Sequence, residues 1–118
     1  MRAVRYTAAG AAAEVIELVE VADPVPAADE VLVRVAAVGL NPVDVKIRAA
    51  GSDFGPIEYS PLPGWDLAGE VVATGAAVTS LEVGDAVFGL ARFPRAAHTL
   101  AELVDRKSTR LNSSHTDI

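Results

Sequence analysis

The sequence predicts a mainly β domain that folds as a small barrel or sandwich with short helical turns. Short runs rich in β-branched residues recur at intervals of about 10–20 residues, separated by Gly and Pro. The alternation of strands with long helices that marks a parallel α/β sheet is missing. The chain has 118 residues, of which 51% are hydrophobic and 22% charged. This length and composition are typical of one globular domain.

The first two predicted strands lie before residue 22. Residues 2–7 form a short strand candidate, and Gly10 with the alanines that follow it predicts a turn. Residues 15–21 have the pattern of a partly buried strand. Pro24 and Pro26 end this strand, because proline lacks a backbone N–H donor and favours extended or turn geometry.

The strongest strand candidate is residues 30–40, a long run of β-branched residues. Pro42 suits the first position of a helix, because its fixed φ is helical and its missing N–H would have no partner there. We therefore predict a helical turn over residues 43–50. Residues 51–63 carry Gly and Pro without apolar periodicity, which predicts a long loop of the kind that often has a function.

Three more strands are predicted in the second half of the chain. Residues 65–75 form one of them, and Gly69 in its middle marks a bulge or the close approach of another backbone. Residues 84–89 form a short buried strand, and residues 98–104 form the last one.

The composition changes after residue 105, which predicts a boundary there. Residues 1–105 hold 22 Ala and 17 Val, whereas residues 106–118 hold neither and are rich in Ser and Thr. This polar tail is either a natural disordered end or foreign sequence, such as a frameshift or adapter read-through at the end of a truncated gene. We favour the second interpretation and expect residues 106–118 to be unpacked.

Charge and residue content exclude several function classes. The formal net charge is −6, so we expect no binding to nucleic acid and no attachment to membranes. No signal peptide or membrane-spanning run is recognisable, which predicts a cytoplasmic protein. Cysteine is absent, and the histidines His98 and His115 stand alone, so a metal site is not expected. Gly-rich nucleotide-binding loops are missing from the sequence as well.

Three motifs carry the functional information. They are VGLNPVDVKIR at residues 38–48, PLPGWDLAGEVV at residues 61–72 and VGDAVFG at residues 83–89. In this order and spacing they resemble the N-terminal GroES-like domain of medium-chain alcohol dehydrogenase-type reductases, and most closely the zinc-independent, zeta-crystallin-like quinone oxidoreductase branch. The resemblance covers residues 1–105. It implies a partly open GroES-like barrel, the catalytic domain of an enzyme whose Rossmann domain is missing here.

The resemblance also implies a reaction. Relatives of this kind transfer a hydride from NADPH to a quinone or an α,β-unsaturated carbonyl, in a cleft between two domains of a homo-oligomer. Because this sequence encodes no phosphate-binding loop, we expect the chain to be inactive by itself.

Zinc is not expected on the same grounds. The zinc-dependent branch places Cys where Asn41 stands and a His-Glu pair where Trp65 and Asp66 stand. The residues found here cannot supply the three or four ligands of a tetrahedral zinc site. Without a metal ion, the substrate carbonyl has to be polarised by hydrogen bonds.

Asn41 and Lys46 are the candidate catalytic residues. The Asn41 amide is expected to face the nicotinamide ribose or the substrate oxygen, so Asn41 is also the candidate cofactor-binding residue. The alternative is an Asx turn that caps residues 42–44 and needs no ligand. Lys46 could donate to a developing oxyanion or to a cofactor phosphate. Its alternative role is that of a solvated lysine paired with Asp44 or Glu70.

Phe54 and Asp66 are the candidate substrate-pocket residues. Phe54 lies in the predicted long loop, where the family often places an aromatic residue over the pocket. Alternatively, Phe54 fixes this loop to the core. Asp66 could orient the pocket by accepting backbone N–H bonds, or it could only stabilise a turn after Gly64.

A second function class stays open, namely a stand-alone GroES-like binding module of the co-chaperonin type. The runs VLVRV and VGDAVFG would suit that fold as well, and similarity of fold is only an analogy for function. A co-chaperonin carries its partner-binding loop before the second main strand, and it would not need the motif PGWDLAG. We therefore favour the reductase.

Overall fold

The computed structural model describes residues 1–53, 55–57, 59–90 and 95–113. Its strands are β1 (Arg2–Tyr6), β2 (Ile16–Glu20), β3 (Glu30–Ala37), β4 (Asp66–Thr74), β5 (Ala86–Leu90), β6 (Leu103–Lys107) and β7 (Asn112–Ser113). Its helices are α1 (Ala12–Val15) and α2 (Pro42–Ala50), and short 3₁₀ turns occur at Gly51–Asp53 and Ser108–Arg110. Within these described ranges, no helix is long and apolar enough to cross a membrane. The predicted mainly β fold class is confirmed.

The larger sheet is antiparallel and has five strands in the order β6-β3-β4-β5-β7. Strand β3 lies between β4 and β6, so that Val33 is opposite Val71 on one side and Val104 on the other. The strong β-branched run that predicted β3 therefore occupies an inner position of the sheet, where both edges of its backbone are paired.

The smaller sheet consists of β1 and β2 alone, and it is attached to the larger one through residues 100–102. Ala3 forms an isolated antiparallel bridge with Ala101. The Val4 N–H donates to the Leu100 carbonyl at 2.9 Å, and the Glu102 N–H donates to the Arg2 carbonyl at 3.1 Å. These bonds join the two sheets into one open, barrel-like body.

One face of the larger sheet forms the hydrophobic core. Because side chains alternate along a strand, Val31 and Val33 share this face and are completely buried. Helix α2 closes part of the core with Ile47. The other buried members are Trp65, Leu67, Val71, Leu81, Val87, Ala97, Val104 and Leu111.

Gly69 has the role that the sequence predicts. A Cβ at this position would collide with the carbonyl oxygen of Arg34 on the neighbouring strand. The register between β3 and β4 shifts between Val35 and Ala37, next to this contact. A close backbone approach and an irregularity in the ladder therefore occur together.

Two predicted elements differ in the structure. The segment after Gly10 is the short helix α1 instead of a turn alone, since alanine has the highest helix propensity. The last predicted strand, 98–104, is displaced to β6. His98 has a positive φ of 60°, which cannot continue a strand, and Ala101 makes only the single bridge.

The expectation of an unpacked tail over residues 106–118 is wrong for residues 106–113. Strand β6 continues through Arg106 to Lys107, and Arg106 is only 2% exposed. Leu111 is 8% exposed and belongs to the core, and β7 pairs with β5. Polar composition did not reveal this packing, because Leu111 suffices to anchor the segment and backbone pairing needs no apolar side chains. Residues 114–118 lie outside the described part of the chain.

Candidate functional site

The junction between β3 and α2 positions Asn41. Strand β3 ends at Ala37, and Asn41 is the N-cap of α2 with an extended backbone (φ −114°, ψ 157°). Pro42 follows at the start of the helix, where its missing N–H costs no hydrogen bond. Asparagine is among the preferred N-cap residues, so the local sequence is sufficient to hold Asn41 at this position.

The structure brings Asn41 and Asp66 together. Asp66 is the first residue of β4, and its Oδ2 accepts a hydrogen bond from Asn41 Nδ2 at 2.8 Å. Gly39 leaves room for this carboxylate, because a Cβ at residue 39 would lie 2.7 Å from Asp66 Oδ2. Asn41 and Asp66 are both half-buried, so the pair remains accessible to a ligand.

This hydrogen bond determines how the Asn41 amide is oriented. An ionised carboxylate only accepts hydrogen bonds, so Asn41 must present its NH₂ group to Asp66. The second N–H of the same group is directed elsewhere and can donate to an oxygen atom of a ligand. The Asn41 amide is therefore a hydrogen-bond donor whose orientation is fixed by Asp66.

Asn41 also has the capping role considered as its alternative. Asn41 and Asp44 are arranged as a capping box, in which Asp44 Oδ2 accepts the backbone N–H of Asn41 at 2.8 Å. The Asp44 N–H donates to the Asn41 carbonyl at 2.9 Å. Capping and ligand binding are compatible, because none of the contacts of this capping box uses the Nδ2 group of Asn41.

Asp44 is a member of this cluster that sequence reasoning missed. It is 4% exposed, and its Oδ1 has no hydrogen-bond partner among the described residues. Burial raises the pKa of Asp44, the bond from Asn41 N–H opposes this, and the nearby charge of Asp66 raises the pKa further. The available signal was the Asn-x-x-Asp spacing at the start of a helix.

The other two predicted site residues are not tested by this geometry. Lys46 is exposed on α2, two positions after the buried Asp44. Its catalytic role stays a prediction. Phe54 lies outside the described residues, so its place over the pocket also stays a prediction.

Apolar side chains flank the Asn41–Asp66 pair. Leu90 of β5 is directly opposite Asp66 in the antiparallel register, so the two side chains share one face of the sheet. Leu90 is 56% exposed, and Leu40, next to Asn41, is 73% exposed. A polar pair beside exposed leucines suits a ligand that combines an apolar body with a polar oxygen. Sequence reasoning missed Leu90 as well.

A separate small cavity lies beside Asp44, on the side of β1. Tyr6, Asp44 and Ser60 contribute its polar groups, and it has room for about one water molecule. Burial raises the pKa of Tyr6, and the charge of Asp44 adds to this effect. A cavity of this size cannot hold a quinone or a nicotinamide, so it is not itself a substrate or cofactor site.

The side chains at this site fit zinc poorly. The described residues contain no group of three or more His, Cys, Asp or Glu side chains that could hold a metal ion. Trp65 is buried and donates its indole N–H to the Arg95 carbonyl at 2.6 Å. Asn41 and Asp66, bonded to each other, could supply only two ligating residues, whereas zinc sites take at least three protein ligands.

Comparisons with known proteins relate this chain to reductases. The family model described as "Alcohol dehydrogenase GroES-like domain" matches residues 27–108. A chloroplastic quinone-oxidoreductase homolog of Spinacia oleracea is 40% identical over 88 residues, which are 74% of this chain and 27% of that protein. The quinone oxidoreductase of Lama guanicoe is 39% identical over 113 residues, which are 87% of this chain and 33% of that protein.

The fold agrees with these relatives. The structure of the quinone oxidoreductase from Coxiella burnetii matches with a TM-score of 0.83 and 32% identity, over 96% of this chain and 36% of that chain. The chain thus spans 27–36% of the length of these three proteins. It belongs to the alcohol dehydrogenase GroES-like domain family, in the quinone oxidoreductase branch of the medium-chain reductases.

Proposed function

We propose that this chain is the N-terminal part of the catalytic domain of a zinc-independent, NADPH-dependent reductase that acts on a quinone or an α,β-unsaturated carbonyl. The Asn41–Asp66 hydrogen bond carries the proposal, because it uses one N–H of the Asn41 amide and leaves the other available to a ligand at a half-buried position. The similarity to quinone oxidoreductases supports the class of reaction.

In this proposal Asn41 binds the substrate oxygen or the cofactor ribose. The N–H that Asp66 does not use donates to a carbonyl oxygen on which negative charge develops during reduction. Asp66 holds the amide in this direction beforehand, so that little reorganisation accompanies the reaction. NADPH, when bound, supplies the hydride.

Lys46 and Phe54 have supporting roles in the proposal. Lys46 is proposed as a second donor to the developing oxyanion or to a cofactor phosphate, since it is an exposed cation on the helix that Asn41 caps. Phe54 is proposed to cover the substrate ring. Leu90 and Leu40 would contact the apolar body of the substrate.

The remaining features of the proposal concern the whole enzyme. We propose that it binds small molecules, and neither nucleic acid nor membranes, that it is cytoplasmic and that it assembles as a homo-oligomer. We also propose that the chain alone is inactive. The co-chaperonin-type alternative has no specific observation in its favour, since a passive binding module would not need Asp66 to orient an asparagine amide.

A chimera tests this function. Residues 1–113 of this chain would replace the corresponding segment of the quinone oxidoreductase from Coxiella burnetii. Oxidation of NADPH in the presence of a quinone would then be followed for the chimera and for its Asn41→Ser variant. Serine is also a good N-cap, so this substitution preserves the start of α2 and removes only the amide.

We expect the chimera to reduce the quinone, and Asn41→Ser to lower kcat about 100-fold, which is typical for the loss of one oxyanion donor. Thermal unfolding of both proteins would show that the domain is folded. A folded chimera without activity, or an Asn41→Ser variant with unchanged kcat, would contradict the proposed function.

A further inference from the structure

The buried Asp44 contacts a residue of the proposed site, yet it has no part in the reaction described above. Its Oδ2 accepts the backbone N–H of Asn41 at 2.8 Å, and Asn41 Nδ2 donates to Asp66 Oδ2 at 2.8 Å. Asp44 is 4% exposed, whereas Asp66 is half-buried. Asp44, Asn41 and Asp66 therefore form a continuous series of contacts from the interior to the accessible site.

Burying the Asp44 carboxylate costs more free energy than capping a helix requires. Capping boxes usually have Glu or Gln at the position of Asp44. A buried carboxylate disfavours its own charged form, and the Oδ1 of Asp44 has no hydrogen-bond partner among the described residues. The neighbouring carboxylate of Asp66 adds repulsion. An uncharged cap would avoid these costs.

Asp44 lines the small cavity described above, which offers a way to satisfy its carboxylate. It has room for about one water molecule and is also lined by Tyr6 and Ser60. A water molecule there would donate to Asp44 Oδ1. Asp44 Oδ2 would then remain dedicated to the Asn41 N–H.

We propose that Asp44 is a positioning residue for the Asn41–Asp66 pair. By holding the backbone N–H of Asn41, it fixes the direction of the Cα–Cβ bond of that residue, so that the side-chain amide stays on Asp66. The second amide N–H is then directed toward the ligand. The effect on catalysis rests on the proposed function, whereas the effect on the Asn41 amide does not.

The test on the amide uses nuclear magnetic resonance of the ¹⁵N-labelled chain. The two side-chain amide protons of Asn41 should differ strongly in chemical shift, since only one of them donates to a carboxylate. Asp44→Ala should collapse this difference and speed the exchange of these protons with solvent. Asp44→Asn should restore the difference, because its Oδ1 can accept the same backbone N–H.

Ser60→Ala is the matched control. Ser60 lines the same cavity, but its hydroxyl donates to the Leu62 carbonyl at 2.9 Å and accepts the Leu62 N–H at 3.1 Å, so these hydrogen bonds stay within residues 60–62. This variant should leave the Asn41 amide resonances unchanged. Asp44→Leu has a shape close to that of aspartate and no polar atoms, so it replaces Asp44→Ala if the alanine variant does not fold.

The test on catalysis uses the chimera described above. Asp44→Leu should lower kcat about 10- to 100-fold, as expected when a catalytic group is displaced. Asp44→Asn should keep most of the activity.

The proposal is overturned if Asn41 keeps its amide resonances in a folded Asp44→Ala or Asp44→Leu chain. It is also overturned if Ser60→Ala changes these resonances as strongly as Asp44→Ala does. A chimera that lacks activity with the native Asp44 would contradict the proposed function instead, and the amide resonances would still decide the role of Asp44.

Discussion

Gly64 and Gly84 show what single residues contribute to this fold. Both have a positive φ, +102° and +98° respectively, which residues other than glycine rarely adopt. Gly64 is also crowded, because a Cβ there would collide with Thr99 Oγ1 and lie 3.0 Å from the Leu100 backbone nitrogen. Gly84 has nothing within 4 Å of the same position. Comparing alanine substitutions at the two glycines therefore distinguishes the effect of backbone strain from that of crowding.

We predict that Gly84→Ala lowers the free energy of unfolding by about 1–2 kcal/mol, through backbone strain alone. Gly64→Ala should lower it by about 2–4 kcal/mol, because overpacking is added to the same strain. Urea unfolding of the two variants measures the difference. Equal losses would mean that Gly64 is not crowded.

The N-terminal ammonium group of Met1 makes stability depend on pH. It donates to the Val21 carbonyl at 2.7 Å and lies 3.1 Å from Asp23 Oδ1 and 3.4 Å from Glu20 Oε2. The hydrogen bond with Asp23 raises the pKa of this group above its ordinary value of 8.0, although desolvation opposes the shift. Since the folded state holds this proton more tightly than the unfolded state, the contribution is complete below pH 8.

We predict that this contribution is lost as the pH rises from 8 through the raised pKa of the folded chain. The melting temperature of the chain should therefore fall between pH 7 and pH 10. N-terminally acetylated chain should show a flatter profile, because it has no ammonium group to lose. Parallel profiles for the two forms would show that the Met1 ammonium contributes nothing.

The strands and the helix that depend on local residue preferences were predicted correctly from the sequence. Strands β3 and β4 were predicted because β-branched residues dominate them, and α2 because Pro42 follows a strand and starts a helical run. Strand β6 was misplaced, since a buried Arg106 looks like an exposed residue when only its polarity is considered. Its pairing with β3 arises from tertiary structure, which single-sequence patterns do not contain.

The segment after β6 is expected to contribute to the stability of the domain. Leu111 is 8% exposed and packs in the core, whereas Leu18 on β2 is 67% exposed. Leu111→Ala should lower the free energy of unfolding by about 2–4 kcal/mol. The matched control Leu18→Ala should change it by about 0.5 kcal/mol or less. If both changes proved equally small, the segment would be unpacked, as its composition suggested.

At the scale of the whole molecule, the site depends on long-range pairing that the sequence reveals only in part. Asn41 and Asp66 could be chosen as candidates because their motifs resemble those of a known family. Asp44 was missed although its spacing from Asn41 fits a capping box, because its polarity does not reveal that it is buried. Leu90 was missed because its place opposite Asp66 comes from the register between β4 and β5. The family resemblance identified Asn41 and Asp66 as candidates, and the structure shows the hydrogen bond between them.

The missing Gly-rich motif gives a prediction about cofactor binding. The sequence encodes no phosphate-cradling Gly-rich loop. The Asn41 amide offers hydrogen bonds of about 1 kcal/mol each, which cannot offset the cost of immobilising a dinucleotide. We therefore expect no micromolar binding of NADPH in a fluorescence titration of the chain. Micromolar binding that is abolished by Asn41→Ala would contradict this expectation.

A double-mutant cycle on Asn41 and Asp66 measures the strength of the hydrogen bond between their side chains. The free energies of unfolding of the native chain, Asn41→Ser, Asp66→Ala and the double variant would be measured by urea denaturation. We predict a coupling energy of about 1 kcal/mol or more, as expected for a half-buried hydrogen bond to a carboxylate. Effects that add to within about 0.3–0.5 kcal/mol would show that the two side chains do not interact, and that Asp66 does not orient the Asn41 amide.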